Sequence, residues 1–224
     1  MKILFIRFSS IGDIILSTAS LNSLYKEFPN AKIHFLTLEE YAPLLEGISC
    51  IDRIHLLDKS ANVVRLNAVG EYLNNCNYNI VIDMHNSIRS KIILNKISSP
   101  NKYILKKPRW KRFKLFAFHS NSFSDDFSQI KLFHSVIDRI LSRGQDSSTS
   151  LFVSKSEREF AKLKLLQNGY RGGNILVCVP EAGWHNKTWN PKYYFELFKS
   201  IKNNNFEIIL FGTGKDNICG DILA

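Results

Sequence analysis

The sequence predicts an α/β fold in which a Rossmann-like domain is followed by the start of a second one. Short apolar runs alternate with longer amphipathic stretches, which is the pattern of βα units around a parallel sheet. A Ser-, Asp- and Gly-rich stretch at 144–150 interrupts the pattern, which then restarts. The restarted part holds a single β-α-β repeat, too little to bury a core of its own. We therefore expect an N-terminal domain over residues 1–150 and an incomplete C-terminal domain over residues 151–224.

The first domain is predicted to contain five strands. They are the apolar runs Lys2–Arg7, Lys32–Leu38, Ile51–Leu57, Tyr78–Met84 and Asn101–Leu105. Amphipathic stretches between and after them predict the helices Ile14–Phe28, Glu39–Leu45, Val63–Leu73, Ser87–Ile97 and Ile130–Arg143. Residues 106–126, basic at first and then polar, are predicted to form a long loop with a short helix.

The second domain is predicted to begin with a helix and to continue as one β-α-β repeat. Its predicted helices are Glu157–Gln167 and Lys192–Asn203. Its predicted strands are Asn174–Val179 and Phe206–Phe211.

The composition excludes a disordered chain and a membrane-spanning one. Of the 224 residues, 45% are hydrophobic and 12% aromatic, which supports a folded core. No apolar run approaches the roughly 20 residues that cross a bilayer. The apolar N-terminus is broken at Arg7 and no small-residue cleavage site follows, so we expect the chain to stay in the cytosol. The four cysteines are scattered, which indicates reduced thiols and no zinc site.

The charge points to an anionic partner. The net charge is +10 and the isoelectric point is about 9.4. A nucleic acid, an acidic membrane and a phosphorylated substrate all satisfy that charge.

The turn after the first strand is the first candidate site. Ligands of doubly wound folds bind at the carboxyl ends of the strands. Gly12 permits a close backbone approach, while Ser9, Ser10 and Asp13 put polar groups at the start of a helix. Two interpretations of Asp13 stay open, because a carboxylate there also caps the helix or favours its dipole. The turn lacks GxGxxG, so no dinucleotide site is indicated.

A second polar turn follows the strand that ends near residue 84. Asp83 and His85 are candidates to face the cleft, and Arg89 is a candidate to meet an anionic acceptor. The alternative is structural: a buried, hydrogen-bonded Asp83, and Asn86 or Ser87 capping the next helix.

The strand-to-helix junction at 180–191 is a candidate phosphate site, since helix N-termini and free backbone N–H groups favour anions. Lys187 is placed to neutralise a diphosphate, and Trp184 or Trp189 to stack on a base or pack the helix start. An ordinary solvated loop remains the alternative. Glu181 and His185 form no recognisable metal set with their neighbours, so no metal is expected.

The segment 102–114 is basic and aromatic. Its charged residues are Lys102, Lys106, Lys107, Arg109, Lys111, Arg112 and Lys114, with Trp110 and Phe113 between them. This composition suits RNA, a phosphorylated glycolipid or an anionic bilayer surface, or is simply a solvated basic face. The absence of an RNA-recognition, KH or helix-turn-helix signature disfavours nucleic acid.

Several of these segments together resemble glycosyltransferase family 9, the heptosyltransferases of lipopolysaccharide core assembly. They are KILFIRFSSIGDIILSTASLNSLYKEFPNAKIHFLT, VIDMHNSIRSKIIL, FHSVIDRIL, VPEAGWHNKTWNPKYYFELFKSI and EIILFGTGKD. The first is the most specific. One later motif of the family, an Asp-Ser-Gly-Pro-x-His-like loop, has no counterpart here, and about the last third of a typical member is missing. The pair His85-Asn86 stands where many members carry other polar residues.

The resemblance implies an inverting GT-B transferase that uses no cofactor and no metal. It implies Asp13 as general base, with Ser9, Ser10, Gly12 and Arg89 on the acceptor side. It implies Lys187, Gly183 and Thr188 on the donor side.

The implied partners are an ADP-sugar and an anionic glycolipid of the lipid A–Kdo type at the inner membrane surface, not nucleic acid. The alternative is a truncated, non-catalytic remnant that binds anionic glycolipid or nucleic acid through its basic segment. Replacing Asp13 separates the two, because a transferase loses turnover whereas a remnant has none to lose.

Overall fold

The computed structural model describes residues 1–142, 144, 146–182, 187–201, 206–213 and 218–223. The chain forms two compact units, Met1–Ser154 and Lys155–Ala224. The division falls four residues beyond the end of the stretch 144–150.

The first unit is built on a parallel sheet of five strands. Their bounds are β1 Lys2–Ile6, β2 Lys32–Leu38, β3 Arg53–Leu57, β4 Ile80–Asp83 and β5 Asn101–Ile104. The strand order is β3-β2-β1-β4-β5, so the direction of winding reverses between β1 and β4. Phe5 of β1 pairs with Phe35 on one side and Ile82 on the other. The predicted α/β, Rossmann-like fold is confirmed, and a crevice is expected where the order reverses.

Helices cover both faces of this sheet. The α-helices of the first unit are α1 Ile11–Glu27, α2 Val63–Asn74, α3 Ile88–Asn95, α4 Arg109–Phe118 and α5 Gln129–His134, with a 3₁₀ turn at Glu39–Leu44. Among them, α4 contributes no buried residue. On one face, Phe5 and Ile82 pack with Leu21 of α1 and Phe133 of α5. On the other face, alternate strand residues pack against α2 and α3. This alternation arises because successive side chains of a strand point to opposite faces.

The predicted helix Ile130–Arg143 is wrong in its second half. The α-helix ends at His134, and the chain continues through tighter turns in which Val136 N–H donates to the Phe133 carbonyl and Ile137 N–H to the His134 carbonyl. Phe133 and Ile137 stay in the core. Apolar residues three and four apart face one side in both kinds of turn, so the sequence pattern does not distinguish them.

The second unit contains three helices and two strands within the part that is described. They are α6 Lys155–Gln167, β6 Asn174–Cys178, α7 Pro191–Ile201, β7 Phe206–Leu210 and α8 Ile218–Leu223. The two strands pair in parallel, with Leu176 opposite Ile208. Within the described ranges, no helix of either unit combines the length and apolarity needed to cross a bilayer.

Candidate functional site

Arg7 lies between β1 and β4, where the strand order reverses and a crevice is expected. It directly follows β1, is buried, and its guanidinium lies 5.2 Å from the ring centre of Phe133. Its Nε donates to the Ser9 carbonyl at 2.7 Å, its Nη1 to the Met84 carbonyl at 2.7 Å, and its Nη2 to the Asp13 carboxylate. One side chain therefore fixes the β1 loop, the β4 loop and the start of α1 together.

Asp13 is the third residue of α1, and its side chain is 32% exposed. Its carboxylate accepts from Arg7 and, at 3.4 Å, from the Ser10 hydroxyl. The N-cap residue of α1 is Ser10, whose side chain makes no capping bond. The carboxylate is thus engaged with a charged side chain of the crevice, while part of it stays open to solvent. A carboxylate in this state can take a proton from a bound hydroxyl group.

The loop at the start of α1 leaves room next to Asp13. Gly12 is exposed, and a Cβ built on it would meet nothing within 4 Å. Ser10 is exposed, Ser9 is half-buried, and the peptide bond between them is cis. Among the described residues, nothing would obstruct a larger side chain at position 12, so this side of the loop is open.

Asp83 holds the loop after β4 in place through buried hydrogen bonds. It is fully buried, and its Oδ1 accepts from the backbone N–H groups of His85 and Asn86, both at 2.8 Å. Its Oδ2 accepts from the Ser90 hydroxyl at 2.7 Å, and Ser87 caps α3. Burial raises the pKa of Asp83, against the lowering effect of these hydrogen bonds. The structural interpretation of Asp83 and Ser87 is therefore confirmed.

His85 and Arg89 carry polar atoms without partners at this crevice. The His85 ring lies 4.7 Å from the Phe8 ring, and the Arg89 guanidinium lies 5.8 Å from the same ring. Arg89 Nη2 donates to the Asp58 carbonyl at 2.7 Å. Within the described part of the chain, His85 Nδ1, Asn86 Oδ1 and Arg89 Nε are buried with no hydrogen-bond partner. Buried polar atoms are normally paired, so these three suit a ligand that supplies polar groups.

The electrostatics of this crevice are positive. Burial lowers the pKa of His85 to about 4, and the nearby charges of Arg7, Lys107 and Arg89 act in the same direction. Lys107 Nζ donates to the Asn86 carbonyl at 3.4 Å. Burial also lowers the pKa of Lys107, again helped by the charge of Arg7. Three cations, Arg7, Lys107 and Arg89, and one carboxylate, Asp13, act on the neutral imidazole, and this excess of positive charge favours an anionic ligand group.

Arg7 was missed as a site residue at the level of sequence, and Lys107 was named only as a member of the basic segment 102–114. Arg7 stands at the end of an otherwise apolar strand, and Lys107 follows β5. For Arg7 the available signal was a charged residue directly after a buried strand, because the carboxyl ends of parallel strands meet at one edge of the sheet.

In the second unit, the described part of the predicted donor loop lies before α7. Lys187 is exposed and Thr188 half-buried, while Gly183, Trp184 and His185 lie outside the described residues. The Trp189 ring stacks on Tyr193 at 5.6 Å and meets Tyr194 edge-on at 4.9 Å. Trp189 therefore packs the start of α7.

The carboxylate of Glu181 links the loop after β6 to the loop after β7 by hydrogen bonds. Glu181 Oε2 accepts from the Thr213 N–H at 2.7 Å and from its hydroxyl at 2.6 Å. Both loops leave the carboxyl ends of paired parallel strands, the edge where ligands of such folds bind. Across the described parts of both units, no group of three or more His, Cys, Asp or Glu residues is arranged to hold a metal.

Comparison with known proteins identifies a family and a curated relative. A family model described as glycosyltransferase family 9 (heptosyltransferase) matches residues 66–222, downstream of the β1 loop. Lipopolysaccharide heptosyltransferase 1 of Campylobacter coli is 27% identical over 129 residues, which are 57% of this chain and 34% of that protein.

Two solved structures share the fold. A glycosyl transferase family 9 protein of Veillonella parvula superimposes with a TM-score of 0.81 at 18% identity, over 99% of this chain and 66% of that one. The E. coli ADP-heptose lps heptosyltransferase II gives a TM-score of 0.74 at 19% identity, over 100% of this chain and 68% of that one. The chain thus spans about two thirds of the length of these structures.

Proposed function

Because the chain belongs to glycosyltransferase family 9, we propose that it transfers a heptose from ADP-heptose to an anionic lipopolysaccharide core acceptor of the Kdo or heptose type. The carrying observation is the Arg7–Asp13 pair, which holds a partly exposed carboxylate at the crevice between β1 and β4. The printed name of one similar structure, an ADP-heptose heptosyltransferase, supports the donor.

Asp13 is the general base of this proposal. Its carboxylate takes the proton of an acceptor hydroxyl as that oxygen attacks the anomeric carbon. The bond from the anomeric carbon to the diphosphate oxygen breaks, and ADP leaves with the electron pair. Attack opposite the leaving group inverts the configuration of the sugar. Arg7 is a positioning residue, since its guanidinium orients the carboxylate and stays paired with it.

The acceptor is proposed to bind to the first unit. Ser9, Ser10 and Gly12 line the open loop beside Asp13. Arg89, with an unpartnered Nε, meets an anionic group of the acceptor. The positive crevice supports an acceptor that carries carboxylate or phosphate, and such an acceptor brings the protein to the inner membrane surface.

The donor is proposed to bind to the second unit, at the loop before α7. Lys187 stabilises the charge that develops on the departing ADP, in place of a metal ion. Thr188 and Gly183 contribute hydroxyl and backbone contacts to the diphosphate. Support comes from the position of this loop, between the end of β6 and the start of α7, where helix N-termini favour phosphate.

The test is release of ADP from ADP-heptose in the presence of a Kdo-terminated acceptor. Asp13→Asn keeps the size of the side chain but removes the base, so we expect turnover to fall by about 10²- to 10⁴-fold. Glu71→Gln, which neutralises an exposed carboxylate on α2, is the matched control and should keep the wild-type rate. An Asp13→Asn protein with wild-type turnover would overturn the assignment. A wild-type chain without turnover would favour the glycolipid-binding alternative.

A further inference from the structure

Helix α4 leaves its apolar side chains uncovered. None of its ten residues is buried, and Phe116 is 86% exposed. Its other exposed large apolar residues are Trp110, Phe113, Leu115 and Phe118. Soluble surfaces rarely gather apolar side chains so densely, and a contiguous patch of this kind marks an interaction site.

Three of the four aromatic side chains of α4 contact one another in a row. Trp110 and Phe113 stack at 5.4 Å, and Phe113 meets Phe118 edge-on at 5.9 Å. Trp110, Phe113 and Ala117 follow one another at intervals of three and four, so they share a helix face. The Lys114 ammonium lies over the Trp110 ring, with Nζ 5.9 Å from the ring centre, so cationic and aromatic groups share this face of the helix.

The charged side chains of α4 and of the loop before it are all basic. The basic residues are Lys106, Lys107, Arg109, Lys111, Arg112 and Lys114, and no acidic residue occurs between Lys102 and Ser124. Aromatic and basic side chains together, without acidic ones, match the interface of an anionic bilayer, where rings enter the headgroup layer and cations meet lipid phosphates.

Helix α4 also begins next to the proposed acceptor crevice. Lys107, two residues before it, reaches the Asn86 carbonyl of the β4 loop. The charges of Arg7 and Arg112 both contribute to lowering the pKa of Lys107, after the larger effect of burial. The basic surface of the helix therefore continues into the crevice that contains Arg7 and Asp13.

We propose that α4 is a membrane-docking helix that lies in the headgroup layer of an anionic bilayer and brings the Asp13 crevice to the lipid surface. The inference deepens the proposed function, since a lipid-linked acceptor enters the crevice from that surface. In this proposal α4 makes the contact, its aromatic side chains enter the bilayer, and the lipid charge is negative.

Vesicle sedimentation tests the proposal on the full chain. Vesicles of phosphatidylcholine alone are compared with vesicles that also contain phosphatidylglycerol, without donor or saccharide acceptor. We expect at least about tenfold tighter binding to the anionic vesicles, declining with added salt. Because no sugar is present, binding is measured independently of transfer, so failure of either proposal is seen separately.

Two sets of variants separate the apolar and the charged contributions. Trp110→Ser/Phe113→Ser/Phe116→Ser and Lys111→Gln/Arg112→Gln/Lys114→Gln should each weaken binding by about tenfold or more. The control Val63→Ser/Val64→Ser removes exposed apolar side chains from α2 and should bind as wild type does. Circular dichroism verifies that each variant is folded.

A spectroscopic readout locates the contact. Brominated lipids should quench Trp110 fluorescence on binding, and Trp110→Phe should lose that quenching while it still sediments with the vesicles. Equal binding to neutral vesicles, or α4 variants that bind as wild type does, would overturn the proposal. So would exclusive binding of single-stranded RNA with no sedimentation on anionic vesicles.

Discussion

The two units of the chain bury their apolar residues to very different extents. In the first unit, helices cover both faces of the sheet, and Phe5 and Ile82 are 0% exposed. In the second unit, Val177 within β6 is 58% exposed, and neither α6 nor α7 has a buried residue. The first unit thus has a closed core, whereas the described part of the second has apolar surface that nothing described covers.

This difference extends to the candidate site residues. Arg7 and Asp83 of the first unit are buried and make several hydrogen bonds, which fixes the loops around Asp13. Lys187 of the second unit is exposed. The geometry around Asp13, which we propose for the acceptor side, is therefore held by hydrogen bonds within the first unit, whereas an exposed Lys187 would lose conformational freedom on binding a ligand.

The largest expected effect comes from removing a core ring of the first unit. Phe5→Ala should lower the free energy of unfolding by about 3–5 kcal/mol, because it removes buried contacts and leaves a cavity. Val177→Ala in β6 should lower it by about 1 kcal/mol or less, since the side chain is mostly exposed. Urea unfolding followed by circular dichroism measures both. Equal losses would contradict the contrast between the two units.

A smaller effect is expected from acid, through buried histidines of the first unit. His55 Nε2 lies 3.0 Å from the Tyr78 hydroxyl and 3.2 Å from His34 Nδ1. Burial, helped by the charges of His34 and Arg53, lowers the pKa of His55 from 6.5 to about 4.

The sign of this acid effect follows from the lowered pKa. Between pH 6.5 and 4 the unfolded chain binds a proton that the folded chain does not. The stabilisation is complete above pH 6.5 and is lost as the pH falls toward 4, by up to about 3 kcal/mol. Unfolding free energies measured across this range should decline less steeply in His55→Gln. An unchanged slope would show that His55 is not held neutral in the fold.

The sheet was predictable because its physical signal is local. Strands buried on both faces are continuous apolar runs, and each observed strand lies within the predicted one. The prediction of a helix over 130–143 was wrong in its second half, because apolar residues three and four apart face one side both in an α-helix and in the tighter turns found there. Helix α4 was predicted only as a short helix within a loop, because its aromatic residues have no core to face.

The sequence predicted where the candidate site lies but not which of its residues contact one another. Asp13 was assigned to the crevice from its position after β1, while helix capping remained an open alternative from the residue type alone. Its partner Arg7 comes from the preceding strand, and only the folded geometry brings the two together. The contacts of Arg89 with Asp58 and Phe8 likewise join distant parts of the chain, which no local pattern reports.

We propose that the first unit supplies the general base and the second unit the contacts to the nucleotide. Calorimetric titration with ADP tests it most directly on three variants. Lys187→Gln should weaken ADP binding by about tenfold or more, because it removes a charge-assisted contact to the diphosphate. Lys192→Gln, an exposed control on α7, and Asp13→Asn should both bind within about twofold of wild type. An Asp13→Asn protein that loses ADP affinity, or a Lys187→Gln protein that keeps it, would contradict the account.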